Sequence, residues 1–218
     1  MGIKQRSFWI METISGSPGC WFPMWRAPQP GFIRAFVWQC ISSGADALEH
    51  FRWRSAPIGA EQFWHGLIDH SNVPGRRFEE YSKLCREVNS LSPLLTGSEV
   101  HGEAAILHSH DQYHAFQIQP QAEGMDYFDN LKRYHRALTK LGASLYPDLP
   151  EGVQISIRKK KGKRYFLFLL NLTRKRQQVT LGQAYSGLLS EKRIGPKLNM
   201  EPYDVEIVEF AETGGRIK

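Results

Sequence analysis

A strand–helix–strand unit near the N-terminus limits the possible folds more than any other feature. Phe8 to Glu12 form an apolar run that predicts a short buried strand, and Ser15 to Gly19 are rich enough in Gly, Ser and Pro to predict a loop. Ile33 to Ile41 predict a helix, and Leu48 to Trp53 alternate like a second strand. This order is typical of a β–α–β crossover, which places both strands in a parallel sheet.

The middle of the chain predicts two helices and one strand. Phe78 to Leu91 carry apolar residues at helical spacing, and Ser92-Pro93 is the expected end of that helix. Ala104 to Leu107 predict a short buried strand. Asp126 to Leu141 predict a second amphipathic helix, with Asp126 as its N-cap.

From Val153 onward the pattern changes to that of an antiparallel sheet. Val153 to Ile157 alternate, and Tyr165 to Leu170 are continuously apolar, so the pair predicts a β-hairpin. Val179 to Leu181 and Val205 to Phe210 predict further strands. The C-terminal part therefore predicts a small antiparallel β domain.

Composition excludes several classes of protein. The chain has 218 residues, 41% of them hydrophobic, so it can bury a core, and its net charge of +6 comes with no nucleic-acid-binding motif. Cys20, Cys40 and Cys85 form no CxxC pair, which favours reduced thiols over disulfides or a cysteine zinc site. Neither a membrane-span run nor a signal-peptide core occurs. We therefore expect a cytoplasmic protein with no membrane partner.

Glu12 is the first candidate catalytic residue. It is a lone acid at the end of an apolar strand, and a loop and Trp21 follow it. Enzymes built on β/α barrels place their catalytic groups at the carboxyl ends of the strands, so this position suits a catalytic carboxylate. A structural glutamate at a strand end is the alternative.

Three ordered motifs resemble a known family. They are FWIME (Phe8–Glu12), RAFVWQCISSGADA (Arg34–Ala47) and ALEHFRWRSAPIGAEQFWHG (Ala47–Gly66). Their order and spacing resemble the β-galactosidases of glycoside hydrolase family 42. Farther on, LPEGVQISIRKKKGKRYFLFLLNLT (Leu149–Thr173) is similar to the small C-terminal β domain of that family.

The resemblance implies a fold of class α/β plus all-β, divided into three parts. Residues 1–95 match the C-terminal part of a (β/α)8 TIM barrel, so the chain is expected to begin near the seventh barrel strand. Residues 96–146 match a truncated α/β domain of the kind used in trimer formation, and residues 147–218 match the β domain. The shortened middle part implies an internal deletion. Two barrel strands alone are expected to leave open edges and uncovered apolar faces.

The resemblance also implies a reaction, the retaining hydrolysis of terminal β-D-galactosides. This reaction uses two carboxyl groups about 5 Å apart, one attacking the anomeric carbon and the other protonating the leaving oxygen. The resemblance assigns the nucleophile to Glu12. Arg52 and Arg54, on the second strand, are expected to be buried and to pair with acids that support the site.

Three further residues match galactose contacts of the family. Trp21 matches a tryptophan that stacks on the sugar; Cys20 is the alternative because the loop is one residue longer than the family pattern, and a core role for Trp21 also stays open. Glu61 matches a glutamate that accepts hydrogen bonds from galactose hydroxyls. Trp64 stands where the family often has a histidine, so His65 is the expected substitute.

The resemblance leaves the acid/base glutamate without a match, because that residue lies earlier in the family pattern. We therefore expect the chain alone to have little or no activity on ordinary galactosides. The homotrimer of the family is doubtful with so short an α/β segment.

No cofactor is expected. The cysteine cluster that binds zinc in some family members also lies in the unmatched part. His108, His110 and His114 suggest a metal site, but without a carboxylate of suitable geometry we interpret them as loop histidines.

Two functions from other classes stay open. The first is a non-catalytic carbohydrate-binding or interaction module that uses Trp21, Trp38, Trp53 and Trp64 as a sugar-stacking platform. The second is a nucleic-acid binder that uses the basic run Lys159–Arg164. Such a run at a hairpin tip is more often a solvated turn, so no nucleic-acid partner is expected.

Overall fold

The predicted β–α–β unit is confirmed. The computed structural model of the chain describes residues 8–17, 19, 26–102, 105–142, 149–162 and 164–211. Strand β1 (Phe8–Ile14), helix α1 (Phe32–Ser42) and strand β2 (Ala45–Phe51) follow one another, and the two strands pair in parallel.

The strand boundaries differ from the predicted ones. Strand β1 continues past Glu12 to Ile14, and β2 ends at Phe51 rather than at Trp53. The second strand ends early because the carbonyl groups of Arg52 and Trp53 accept hydrogen bonds from the loop segment 67–68 instead of from β1. This change of partner turns the chain away from the sheet at the carboxyl end of β2.

Helix α2 (Arg76–Leu95) is longer than its sequence predicts. The expected end at Pro93 is wrong, because the helix passes through this proline and ends at Leu95. Leu91 and Leu95 are both buried, so tertiary packing stabilises the last turn. The ammonium of Lys160 donates a hydrogen bond of 3.0 Å to the carbonyl oxygen of Pro93, one of the last carbonyls that a helix leaves unpaired.

Two helices follow α2, and only the second was predicted. A two-residue strand β3 (Glu99–Val100) precedes α3 (His110–Ile118) and α4 (Tyr127–Gly142). The N-cap role of Asp126 is confirmed, since its Oδ1 accepts a hydrogen bond of 2.7 Å from the backbone N–H of Asp129.

The strand predicted at 104–107 is wrong over its described part. Ala104 lies outside the described residues, and residues 105–107 have no regular structure. Leu107 is 80% exposed, so this apolar run finds no sheet to cover it.

The C-terminal part forms the predicted antiparallel sheet. A hairpin of β4 (Val153–Lys160) and β5 (Arg164–Asn171) stands at its centre. The later strands are β6 (Gln177–Thr180), β7 (Tyr185–Ser186), β8 (Arg193–Ile194), β9 (Lys197–Met200) and β10 (Val205–Ala211). The main sheet has the order β10–β5–β4–β3, while β6 pairs with β9 and β7 with β8.

Strand β5 is buried on both faces, which explains its continuous apolar sequence. Phe166, Phe168 and Leu170 pack in one cluster with the buried faces of α1 and α2. Tyr165 and Leu167 point the other way, into a second cluster with the small strands. The first cluster joins residues 1–95 to residues 147–218, so one core crosses the predicted domain boundaries, and the three-part division stays a prediction.

Polar contacts from β4 complete this junction. Arg158 is 3% exposed, and its guanidinium donates hydrogen bonds to the carbonyl oxygens of Ile41 at 2.8 Å and Ser98 at 2.6 Å. Ser156 donates to the carbonyl of Ser42 at 2.9 Å. Arg158 therefore places a cation at the carboxyl end of α1, where the helix dipole favours positive charge. Burial lowers the pKa of this guanidinium.

Strand β1 was expected to be buried, but this prediction is wrong, because only one of its edges and part of one face are covered. Trp9 is 60% and Met11 62% exposed. Among the residues that the structure describes, β1 pairs with β2 alone, which confirms the expected open edge and uncovered apolar side chains. No described helix is both long enough and apolar enough to cross a membrane.

Trp38→Ala is expected to lower the free energy of unfolding by about 3–5 kcal/mol, because the indole is fully buried between the helices and β5 and its loss leaves a cavity. Chemical denaturation followed by circular dichroism measures this change. Trp53→Ala is the control, since that ring is 60% exposed and a smaller loss is expected. Equal losses in the two variants would contradict the assignment of Trp38 to the shared core.

Acidification is expected to destabilise the chain through His50. Its ring contacts Tyr81 edge-on, and burial lowers its pKa although the Ile14 carbonyl acts in the opposite sense. Below the ordinary histidine pKa of about 6.5, the unfolded chain therefore binds more protons than the folded chain. The free energy of unfolding should fall from about pH 7 to about pH 5, and less steeply in His50→Gln. If the free energy of unfolding fell equally steeply with pH in both proteins, His50 would not be the cause of the destabilisation.

Candidate active site

Glu12 lies at an irregularity in β1. Ile10 pairs with Leu48 and Thr13 with His50, so β1 has one more residue than β2 between these pairs. Such a bulge re-aims side chains and is common beside active sites. Both Met11 and Glu12 are exposed, as expected if the bulge turns both toward the open side of the pair.

A cavity of about 170 Å³ opens beside Glu12. Its lining comes from the end of β1, the end of β2 and the loop after β2: Glu12, Thr13, Ile14, Phe51, Trp64 and His65. The two parallel strands both end here, and this is the edge at which β/α-barrel enzymes place their sites. The structure thus brings two predicted site residues, Glu12 and His65, to one cavity.

His65 is 5% exposed, and both of its ring nitrogens face backbone carbonyls. Nδ1 lies 2.7 Å from the Ser17 oxygen and Nε2 lies 2.8 Å from the Phe51 oxygen. Burial lowers the pKa of the imidazole, while the two carbonyls raise it and the charges of Arg77 and Arg52 lower it. With both nitrogens so engaged, this geometry favours a role in holding the two strand ends together. Direct contact of His65 with galactose stays a prediction.

Glu61 forms an ion pair with Arg52, through Oε2 and Nη2. The Arg52 guanidinium also lies 4.2 Å from the centre of the Phe51 ring, which favours a cation–π contact. The expected pairing of Arg52 with an acid is therefore confirmed. Arg54 is exposed, so its expected burial is wrong: it lies beyond the end of β2, where only an isolated bridge to Ile68 continues the pairing.

Ser15 joins the loop after β1 to the end of β2. This residue is fully buried, and its hydroxyl donates to the Phe51 carbonyl at 2.9 Å while accepting a hydrogen bond from the Arg52 N–H at 2.9 Å. The peptide bond between Phe51 and Arg52 is cis. The two hydrogen bonds of Ser15 determine where the cavity wall formed by Phe51 lies relative to Glu12.

One predicted site position lies outside the described residues, and two residues of the cavity lining add to the predicted set. Trp21 and its alternative Cys20 lie outside the described residues, so the sugar-stacking role stays a prediction. Phe51 and Trp64 also line the cavity. The sequence placed Trp64 at the position of the family histidine and in the alternative sugar platform, whereas it gave Phe51 no role. Phe51 directly precedes Arg52, and Trp64 directly precedes His65. This position could have indicated that both residues form walls of the site.

The histidine cluster shows no metal site. His110 and His114 lie on helix α3 rather than in a loop, because Ser109 caps this helix by accepting a hydrogen bond from the N–H of Gln112. The centres of the His108 and His110 rings lie 4.5 Å apart. Within the described part of the chain, no three His, Cys, Asp or Glu side chains are grouped to hold a metal ion.

Two family models match the chain in the order that the structure presents. The glycoside hydrolase family 42 model, described as "Beta-galactosidase", matches residues 1–91. The model described as "Beta-galactosidase C-terminal domain" matches residues 152–210. The first match contains the β–α–β unit and the cavity, and the second contains the antiparallel sheet.

Individual relatives point to the same family. The β-galactosidase BgaA of Clostridium cellulovorans is 55% identical over 141 residues, which are 65% of this chain and 21% of that protein. A β-galactosidase of Thermus thermophilus is 30% identical over 142 residues, again 65% of this chain and 21% of that protein. The chain thus spans about a fifth of the length of the curated relatives it matches.

A solved structure shows the same fold at low sequence identity. A β-galactosidase from Bacillus circulans sp. alkalophilus aligns with a TM-score of 0.81 and 14% identity, covering 94% of this chain and 56% of that one. The fold, the two family models and the 55% identical relative agree. The chain therefore belongs to the β-galactosidases of glycoside hydrolase family 42.

Proposed function

We propose that this chain carries the nucleophile and part of the galactose-binding wall of a retaining β-galactosidase site. The observation that carries the proposal is the cavity at the carboxyl ends of β1 and β2, which gathers Glu12, Phe51, Trp64 and His65. Its position at the strand ends is the one that barrel enzymes use for catalysis. The substrates would be terminal β-D-galactosides, in keeping with the names of the relatives.

In this proposal Glu12 attacks the anomeric carbon of the galactoside. A new bond forms between a carboxylate oxygen and that carbon, the bond to the leaving oxygen breaks, and a galactosyl ester of Glu12 results. Water then attacks the same carbon, the ester bond breaks and Glu12 leaves as a carboxylate, a proton of the water passes to the solvent, and galactose is released with its original configuration. Both displacements need a carboxylate that the substrate can reach, and the exposed Glu12 meets this condition.

Glu61, together with Phe51 and Trp64 of the cavity lining, would recognise the sugar. Glu61 uses one carboxylate oxygen for Arg52, and its side chain is 46% exposed, so a galactose hydroxyl can reach its other oxygen. Arg52 orients the carboxylate as an acceptor. Phe51 and Trp64 offer ring surface to the apolar face of the sugar. Trp21 is proposed as a further stacking partner on the basis of the family motif alone.

The same proposal predicts weak activity on ordinary galactosides. No residue of this chain matches the acid/base glutamate of the family, and general acid catalysis typically contributes about 10²–10⁴-fold. A substrate with a poor leaving group depends on that contribution, whereas a substrate with an acidic leaving group does not. Neither step of the proposed chemistry calls for a cofactor. The thiols of Cys40 and Cys85 are free, in keeping with the proposed cytoplasmic location.

Two structural features weigh against the other functions. Trp38 is fully buried in the core, so a sugar platform that includes this ring is not available. In the basic run, Lys160 contacts the end of α2 and Arg164 pairs with Glu209. These contacts use two of the charges that a nucleic-acid interface would need.

Turnover of 2,4-dinitrophenyl β-D-galactoside tests the proposal. We expect the chain to release dinitrophenolate, and to hydrolyse lactose at least about 100-fold more slowly, because only lactose needs a proton donor. Glu12→Gln should lower dinitrophenolate release to the background rate. Glu49→Gln, which changes an exposed glutamate on β2, is the matched control and should keep the activity.

Two outcomes would contradict the proposal. One is the absence of dinitrophenolate release from a chain whose circular dichroism and monodisperse sedimentation show that it is folded. The other is full activity in Glu12→Gln. Binding of galactose without turnover, unchanged by Glu12→Gln, would instead support the carbohydrate-binding module.

A further inference from the structure

Arg77, in the first turn of α2, contacts the loop that carries the cavity wall. Its guanidinium donates two hydrogen bonds to the carbonyl oxygen of Gly66, from Nη2 at 3.0 Å and from Nε at 3.3 Å. Gly66 directly follows His65, which lines the cavity. A planar guanidinium with two donors on one acceptor fixes the direction as well as the distance of that carbonyl.

The loop after β1 meets the same arginine. A Cβ atom added to Gly16 would lie 2.8 Å from the Cβ of His65 and 3.0 Å from the Nε of Arg77, which leaves no room for a side chain. Gly66 is equally crowded, since its added Cβ would lie 2.5 Å from the backbone nitrogen of Ser55. Gly16 therefore lies where the loop after β1 meets His65 and Arg77, whereas Gly66 packs within the segment after β2.

Arg77 forms no ion pair with an acid in the part of the chain that the structure describes, although its charge is among the causes that lower the pKa of Asp69. No described carboxylate lies within 4 Å of this guanidinium, whereas Arg52 pairs with Glu61 and Arg76 with Glu80. Its positive charge also lowers the pKa of His65. Arg77 thus directs its head group to a backbone carbonyl, as expected of a residue that holds a loop in place.

We propose that Arg77 is a positioning residue of the cleft. By holding the Gly66 carbonyl and packing on Gly16, it fixes the wall formed by Trp64 and His65 relative to the loop that follows Glu12. This inference deepens the proposed function, and its consequence for the kinetics rests on that function. Its structural consequence, the ordering of residues 61–68, is independent of catalysis.

Hydrogen–deuterium exchange of the whole chain tests the structural consequence. In Arg77→Gln and Arg77→Lys, we expect peptides covering residues 61–68 to exchange at least about tenfold faster, because neither side chain offers two parallel donors. Peptides covering β5 should stay protected, which shows that the variants are folded. Arg86→Gln is the matched control, since this arginine lies on the same helix and bonds only to Ser82 at its surface.

Kinetics with 2,4-dinitrophenyl β-D-galactoside test the consequence for the cleft. A displaced sugar-binding wall should raise KM about tenfold in both Arg77 variants, while kcat changes less than about twofold because Glu12 on β1 is untouched. Arg86→Gln should keep both constants.

The outcomes separate this inference from the proposed function. Unchanged exchange at residues 61–68 in both Arg77 variants would overturn the inference whether or not the chain is active. Faster exchange with unchanged KM would overturn the positioning role in the cleft and leave Arg77 a purely structural residue. Faster exchange in a chain that never releases dinitrophenolate would uphold the loop contact and refute the proposed function.

Discussion

The packing of α1 and α2 against β5 is the interaction on which the rest of the structure depends. The indole of Trp38 and the ring of Phe168 lie with their centres 6.3 Å apart, and both side chains are fully buried. Each such aromatic contributes a few kcal/mol of burial free energy. The indole N–H donates to Glu87 at 3.3 Å, so the one polar group of this ring is paired. A sheet of two strands is marginal alone, and this core makes it part of a larger unit.

The antiparallel sheet also supplies charges that hold helices α1 and α2. Arg158 and Lys160 lie two residues apart on β4, and they bond to carbonyls at the carboxyl ends of α1 and α2 respectively. The amino-terminal end of α2 faces the cleft, where Arg77 bonds to Gly66. One helix therefore joins the core at its carboxyl end to the proposed site at its amino end. This arrangement explains how a sheet of two parallel strands keeps an ordered cleft.

Local sequence predicted the elements better than their ends or their burial. Periodicity predicted the helices α1, α2 and α4, and alternation predicted the β4–β5 hairpin. The helix end predicted at Pro93 is wrong because the local preference of proline was considered without the packing of Leu95. Helix α3 was not predicted, because it buries no residue. The role of Glu12 followed from a family motif, whereas its exposure depends on a bulge that no spacing reveals. Long-range contacts such as Arg77 to Gly66 lie beyond any local pattern.

The proposed function depends on Glu12 lying in a cleft where it can form a galactosyl ester. The most direct measurement is the intact mass of the chain after incubation with 2,4-dinitrophenyl 2-deoxy-2-fluoro-β-D-galactoside, followed by peptide mapping. The fluorine slows breakdown of the ester, and the leaving group needs no proton donor. We expect one fluorogalactosyl group per chain, attached to Glu12. A folded chain that gains no mass, or gains it at another residue, would show that Glu12 is not the nucleophile.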